Sequence, residues 1–242
     1  MSTLTLKNIS VTTAGRTLVD GVSLTLNSGE IHVLMGPNGS GKSSLLNALM
    51  GHPKYVISNG NMMLDGEDIT TLPTEEKAKD GIFLSLQHLP EIAGVSMTNF
   101  LHRAYKEQKG GTMTPLEFYK HAEKLAIDAG ISSEFLKKHV GSGLSGGEKK
   151  QSEVLQMIVL EPKFAFLDEI DSGVDVDAMK HVYAAIERLK NSGMGFVLVT
   201  HYAHILEHVS VDAVHVMREG KLIASGGKEL ANRIAKEGFT EL

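Results

Sequence analysis

The chain of 242 residues contains no cysteine. Disulfides, thiolate metal sites and cysteine nucleophiles are therefore excluded. It also lacks an excess of positive charge: 24 Lys and Arg stand against 29 Asp and Glu, for a net charge of −5. Nothing resembles the basic stripe of a nucleic-acid binder, so no nucleic-acid partner is expected, and electrostatics alone would not hold the chain on anionic lipid. No apolar run approaches the roughly 18 residues that a bilayer span needs, so no direct membrane insertion is expected. The opening MSTLTLKNIS has no basic segment followed by an apolar one, so no export signal is visible and cytoplasmic residence is expected. Internal repeats and low-complexity segments are missing too. What is there, 42% hydrophobic and 22% charged, suits a single globular unit with a sizeable core.

Alternating apolar positions in LTLKNISV and TLVDGVSLTL read as strands of an antiparallel sheet with one covered face. IHVLM is a compact apolar run between turn signals, as expected of a strand buried on both faces. SLLNALM suits a helix, and NMMLD and IFLSLQ are further strand candidates. Between about residues 90 and 140 buried strands disappear and helical patterns such as SMTNFLHRAYKEQ and TPLEFYKHAEKLAIDAG take over. That stretch reads as a helical insertion. The alternation of strand and helix then resumes with FAFLD, AMKHVYAAIERLKNSG, GFVLVTH and DAVHVM. REGK reads as a tight turn between the last two strands, and a short helix is expected near residues 228–236. Buried strands separated by helices predict an α/β fold around a largely parallel, covered sheet.

Three segments carry chemistry. GPNGSGKS, residues 36–43, fits G-x-x-x-x-G-K-[ST] and lies between a buried strand and a helix, where that pattern must lie to bind phosphate. Backbone N–H groups of Gly36, Pro37, Asn38, Gly39, Ser40, Gly41, Lys42, Ser43 and Ser44 (Pro37 excepted) converge on such a ligand, and the helix N-terminus adds about half a positive charge. Lys42 would supply a mobile, partly exposed cation to the β- and γ-phosphates, and Ser43 a hydroxyl ligand to Mg²⁺. FAFLDE ends in Asp168 and Glu169, the first two of five carboxylates within FLDEIDSGVDVDA. Acids so close repel one another unless a cation sits among them. Asp168 would orient a water on the metal, and Glu169 would polarise the attacking water. GLSGGEKKQ places Ser145, Gly146 and Gly147 at the start of a helix, a second anion site that makes sense facing a nucleotide held by another subunit.

With these segments in this order and approximate spacing, the chain resembles the ABC ATPase family over essentially its whole length. The resemblance implies an ABC-type P-loop domain: a RecA-like core with an antiparallel β subdomain at about 1–89 and 141–242, and a helical subdomain at about 90–140. It implies ATP and Mg²⁺ as ligands, and an ATP-dependent head-to-tail dimer with a second copy. It further implies that Gln87 couples the metal site to the helical insertion, that Asp175 lies in the loop joining two nucleotide sites, and that His201 contacts the γ-phosphate. Three departures stand out: Thr13 lies about where the family often has an adenine-stacking aromatic, Glu148 replaces the commoner glutamine, and Gln151 a site that is often basic. HILEH, residues 204–208, matches an inverted zinc-peptidase pattern. With eleven histidines in the chain such a match is unsurprising, and it reads as polar positions on the helix after His201.

Transporter ATPases of the family usually follow the two acids with proline and threonine. Here the string is DE-x-DSG-x-D-x-DA, preceded by SGGEKK and LQMIVLEP. It resembles the SufC branch, the ATPase subunits of the SUF iron–sulfur cluster assembly system. That implies soluble SufB- and SufD-like scaffold partners; the alternative is the nucleotide-binding subunit of a membrane transporter. Iron–sulfur clusters are held chiefly by thiolates, so a cysteine-free chain would be motor and not scaffold. Leu89, Ile92, Val95, Met97 and Phe100, in and beyond the loop after Gln87, are expected to leave an exposed subset for docking.

Overall fold

The computed structural model describes residues 1–85, 91–141, 143–169, 176–200 and 203–238. Strands β1 (Thr3–Thr13), β2 (Arg16–Asn27), β4 (Val56–Leu64) and β5 (Glu67–Asp68) form one antiparallel sheet in the order β2-β1-β4-β5. A second sheet has the order β10-β9-β3-β8-β7-β6. In it β3 (Ile31–Met35), β6 (Ile82–Ser85), β7 (Phe164–Asp168), β8 (Gly195–Val199) and β9 (Ala213–Arg218) run parallel, and β10 (Lys221–Gly226) is an antiparallel edge.

The apolar runs are buried on both faces because each strand feeds two cores. On β7, Phe164 and Phe166 face one core while Ala165 and Leu167 face the other; on β8, Val197 and Val199 alternate in the same way with Phe196 and Leu198. This is the two-residue period of a pleated strand. Helix α1 (Lys42–Leu49) lies between the sheets, with Leu45, Leu46 and Leu49 packed among Leu4, Ile9 and Leu26 of the antiparallel sheet and Phe166 of the parallel one. The opposite face is covered by α5 (Gly146–Leu160), α6 (Val176–Asn191) and the helices α3 (Met97–Lys109) and α4 (Pro115–Asp128).

Local signals explain where the helices start. Thr114 and Glu117 form a reciprocal capping box with Pro115 in the first turn of α4. Ser145 and Glu148 form another at α5. A six-residue helix, α2 (Thr74–Lys79), was not foreseen; its sequence TEEKAK has no apolar stripe. What it buries instead is Lys77, only 1% exposed, whose Nζ donates to the carbonyls of Leu49 (2.8 Å) and Thr70 (3.0 Å). The segment after His201 also differs from expectation: Ala203–Glu207 is a 3₁₀ turn and not an α-helix. Helix α7 (Lys228–Glu237) closes the described chain.

Candidate functional site

The loop 36–41 leaves the end of β3 at the middle of the parallel sheet and enters α1. Its path is fixed by close approach. A Cβ on Gly36 would come within 2.0 Å of the Met217 carbonyl oxygen on β9, and one on Gly41 within 2.7 Å of the Leu18 carbonyl oxygen on β2. Both also have positive φ, 148° and 104°, so only glycine fits without moving backbone.

Lys42 is only 5% exposed, which corrects the expectation of a partly exposed loop cation. Its Nζ donates to the carbonyls of Gly36 (2.8 Å) and Pro37 (3.1 Å), folding the side chain back over its own loop. Burial holds the ammonium below its ordinary pKa, against the opposing pull of Asp168 and Glu169. Ser43, next along the helix, donates its hydroxyl to Asp168 Oδ1 at 3.0 Å. Asp168 ends β7, is 2% exposed, and is raised above the usual carboxylate range by desolvation, the Ser43 hydrogen bond working the other way.

Glu169 follows at φ 49°, a left-handed conformation rare for a residue with a Cβ, and its N–H donates to the Val199 carbonyl at 3.1 Å. Such backbone costs of order 1–3 kcal/mol, and it clusters at functional sites. Glu169 shares a cavity of about 220 Å³ with residues 38–44 and Leu18. Thus the loop, Lys42, Ser43, Ser44 and Glu169 are brought together, with Asp168 behind Ser43. The pairing of a hydroxyl with a buried carboxylate fits a hard divalent cation: two oxygen donors of protein, the rest left to water and phosphate, as Mg²⁺ prefers.

Ser145, Gly146 and Gly147 do not line this cavity. Ser145 Oγ accepts the Glu148 N–H (3.3 Å), Glu148 Oε2 accepts the Ser145 N–H (2.9 Å), and Lys138 pairs with the same carboxylate. The Lys138 hydrogen bond and the cap bonds lower the Glu148 pKa to about 2. So the residue that departs from the commoner glutamine completes a cap. Gln87, Asp175 and His201 lie outside the described residues. His208, one end of the zinc-like pattern, stacks its ring on Tyr183 with centroids 5.2 Å apart.

Sequence reading missed a buried cluster in which Glu153 Oε2 accepts from Ser85 Oγ (2.6 Å) and Lys150 Nζ (3.1 Å). The i,i+3 spacing of Lys150 and Glu153 was the available signal. It also missed Leu18, the extra residue of a β2 bulge between the pairs Val11–Val19 and Thr12–Thr17. Of the residues expected to dock a partner, Met97 is fully buried, Phe100 packs on the core, Ile92 is 36% exposed, and Leu89 lies outside the described residues. A larger groove of about 420 Å³ lies farther along α3, floored by Ile82, Phe83, Ala104 and Leu160 and rimmed by Glu75 and Arg103.

Comparison with known sequences decides the family. The family described as ABC transporter matches residues 19–172. This chain belongs to the ABC transporter ATPase family. Vegetative protein 296 of Bacillus subtilis (strain 168) is 40% identical over 98% of this chain and 92% of its own length. The probable ATP-dependent transporter ycf16 of Cyanophora paradoxa is 41% identical over 98% of this chain and 93% of its own. Among solved structures, a dimeric ATP-binding cassette bound to ADP and Pi shares the fold at a TM-score of 0.80, with 21% identity over 93% of this chain and 98% of that one. The ABC domain is thus an ATPase that uses ATP and Mg²⁺, on the α/β fold expected. That solved cassette is dimeric.

Proposed function

We propose that this ABC ATPase is the motor of a SufC-type iron–sulfur assembly system, driving conformational change in a soluble SufB- or SufD-like scaffold. The string DE-x-DSG-x-D-x-DA supports it, as does the absence of cysteine, which leaves cluster ligation to a partner. Among the described residues no helix is long and apolar enough to cross a membrane. The observation that carries the catalytic half is the Ser43–Asp168 hydrogen bond beside a strained Glu169 facing the same cavity as the loop.

In this reading Ser43 and Gln87 would hold Mg²⁺, Asp168 would orient a water on it, and the ion would neutralise phosphate charge when bound. Lys42 trades the Gly36 and Pro37 carbonyls for phosphate oxygens, so the loop carbonyls must be released as ligand arrives. Glu169 orients the water that attacks in line. The backbone N–H groups of residues 39–44 take up charge in the transition state. Ser145, Gly146 and Gly147 of one copy meet the nucleotide of the other, with Asp175 in the loop between the sites and His201 on the terminal phosphate. The core at about 1–89 and 141–242 closes against the helical part at about 90–140, and the groove beside β6 and α3 is where a scaffold would be moved. Residence is cytoplasmic.

The word transporter in the relative's name favours a second reading, the ATPase subunit of a membrane permease. Affinity capture of the tagged chain from its native cell separates the two. Recovery of a soluble scaffold, together with loss of iron–sulfur enzyme activity in cells carrying Lys42→Ala, is the expected result. Recovery of an integral membrane protein with iron–sulfur enzymes unaffected would replace the first reading by the second.

A further inference from the structure

The first turn of α1 carries Lys42 and Ser43, and its last turn shows how the helix is held at the other end. The final carbonyls of a helix have no partner within it. At α1 the chain's own turn meets three of them. Met50 N–H donates to the Leu46 carbonyl (3.2 Å), His52 N–H to that of Asn47 (3.0 Å) and Gly51 N–H to that of Ala48 (2.9 Å). Gly51, left-handed at φ 80°, closes this turn. The carbonyls of Leu49 and Met50 remain, and both are met from α2. Thr74 Oγ1 donates to Met50 (2.7 Å), and Lys77 Nζ to Leu49 (2.8 Å) as well as to Thr70 (3.0 Å).

Lys77 differs from Thr74 in carrying charge. It is 1% exposed, and among the described residues no carboxylate opposes the burial that holds its ammonium below the ordinary pKa. A buried charge is costly unless something of opposite sign faces it. Here that is the carbonyl end of α1, which carries about half a negative charge. The eight residues of α1 put this end about 12 Å from the phosphate loop. We propose that Lys77 is a positioning residue of the nucleotide site, its buried charge holding α1 from behind and adding to the positive field that the ligand's phosphates meet in front. Protein lies between the two ends of the helix, so salt screens the effect little. At an effective dielectric constant of about 20, a unit charge about 12 Å away changes affinity roughly tenfold per unit of ligand charge.

The inference rests on the phosphate site above, and the test keeps the two apart. Titration calorimetry of the purified chain with Mg·ADP reads affinity and binding stoichiometry separately. Lys77→Met keeps the stem and removes the charge; its Kd is expected to rise roughly 3- to 10-fold with stoichiometry unchanged. Turnover should show the same change as a raised KM with kcat retained, the result of binding lost equally in ground and transition states. Lys77→Arg restores both. Thr74→Val removes the uncharged half of the same cap, and should lower the melting temperature while leaving Kd alone. A merely structural lysine would give fewer competent chains at unchanged Kd, and that result overturns the proposal. So does an equal rise in Kd for Thr74→Val, which would assign the effect to the helix end and not to the charge, or failure of Lys77→Arg to restore affinity. Should Lys77→Met not fold, Lys77→Gln, which keeps a donor and no charge, is read by the same outcomes. Lys42→Ala serves as the control: it loses nucleotide if the phosphate site is as described, whatever Lys77 does.

Discussion

Two helices of this chain begin next to glycines, and their ends are finished differently. Helix α1 starts at Gly41, left-handed at φ 104°, with no side chain accepting its first N–H groups. Helix α5 starts at Ser145 and is closed by a reciprocal box with Glu148. The first four N–H groups of any helix lack partners within it. At α1 they stay available to an anion, and the loop is kept in place meanwhile by Lys42 bonding its carbonyls. At α5 the side chains already satisfy part of the demand. In the proposed reading one end is a receptor completed by its ligand, and the other is a formed surface to be presented.

Changing Glu169 to Gln has the largest expected effect, because it attacks the chemistry without disturbing either helix end. The shape and one oxygen remain, while the group proposed to align water loses its charge. Turnover should fall by about 10²–10⁴, the usual range for a general base, with Mg·ATP still bound in equilibrium dialysis. Wild-type turnover would move the base elsewhere.

Lys42→Ala comes next and tests the α1 half of the contrast. A purely ligand-directed lysine would leave the free protein as stable as before. Here its loss strips the Gly36 and Pro37 carbonyls of their donor, at a cost of about 1–3 kcal/mol for a buried unsatisfied group. Thermal unfolding without nucleotide should therefore drop, in addition to the loss of turnover. An unchanged melting temperature would mean that water replaces the ammonium fully.

Ser145→Ala tests the other end. Loss of an N-cap costs about 1 kcal/mol, readable as a lower urea midpoint without any nucleotide present. Affinity of the separated chain for Mg·ADP should not change, since Ser145 is not in that chain's own cavity. A fall in affinity would bring the segment into its own site.

Glu148 gives the smallest effect and a pH signature. Its carboxyl is depressed from 4.5 to about 2 in the folded chain, chiefly by Lys138 and the Ser145 cap. A depressed acid contributes stability above its unfolded pKa and loses it as pH falls through the folded one. The contribution is therefore complete above about pH 4.5 and fades toward pH 2. Glu148→Gln retains a box and forfeits the exposed pair with Lys138, changing stability at neutral pH by less than about 1 kcal/mol. Acid titrations followed by circular dichroism should show the variant lacking the wild-type step in that window.

The same contrast explains what could be read beforehand. β3, β7 and β8 were legible because strands buried on both faces are written as unbroken apolar runs. The loop was legible because its glycines and lysine have fixed spacing. The fate of the charged side chains was not. Lysine is read as a surface residue, yet Lys42, Lys77 and Lys150 are each 6% exposed or less: Lys42 folds over its own loop, Lys77 is held by the Leu49 and Thr70 carbonyls, and Lys150 pairs with Glu153 on its own helix. Helix α2 escaped notice for a related reason: it buries an ammonium group where an amphipathic helix would bury leucine. Leu18 drew no attention because a bulge, which a sequence does not announce, sets it beside the loop.

The position of β3 has a further consequence, for the order of assembly. Its neighbours in the sheet are β8 and β9: Ile31 pairs with Phe196, and His32 with Ala213. Both lie near the far end of the chain, and Met217 of β9 also limits the space for Gly36. Non-local pairings of this kind form slowly, because the closure entropy of a long loop is met before the contacts that reward it. During synthesis the phosphate loop emerges early with nothing to brace it. It acquires its shape only when β8 and β9 have left the ribosome, so nascent chains halted before β9 should not retain nucleotide. The loop is encoded early and built late.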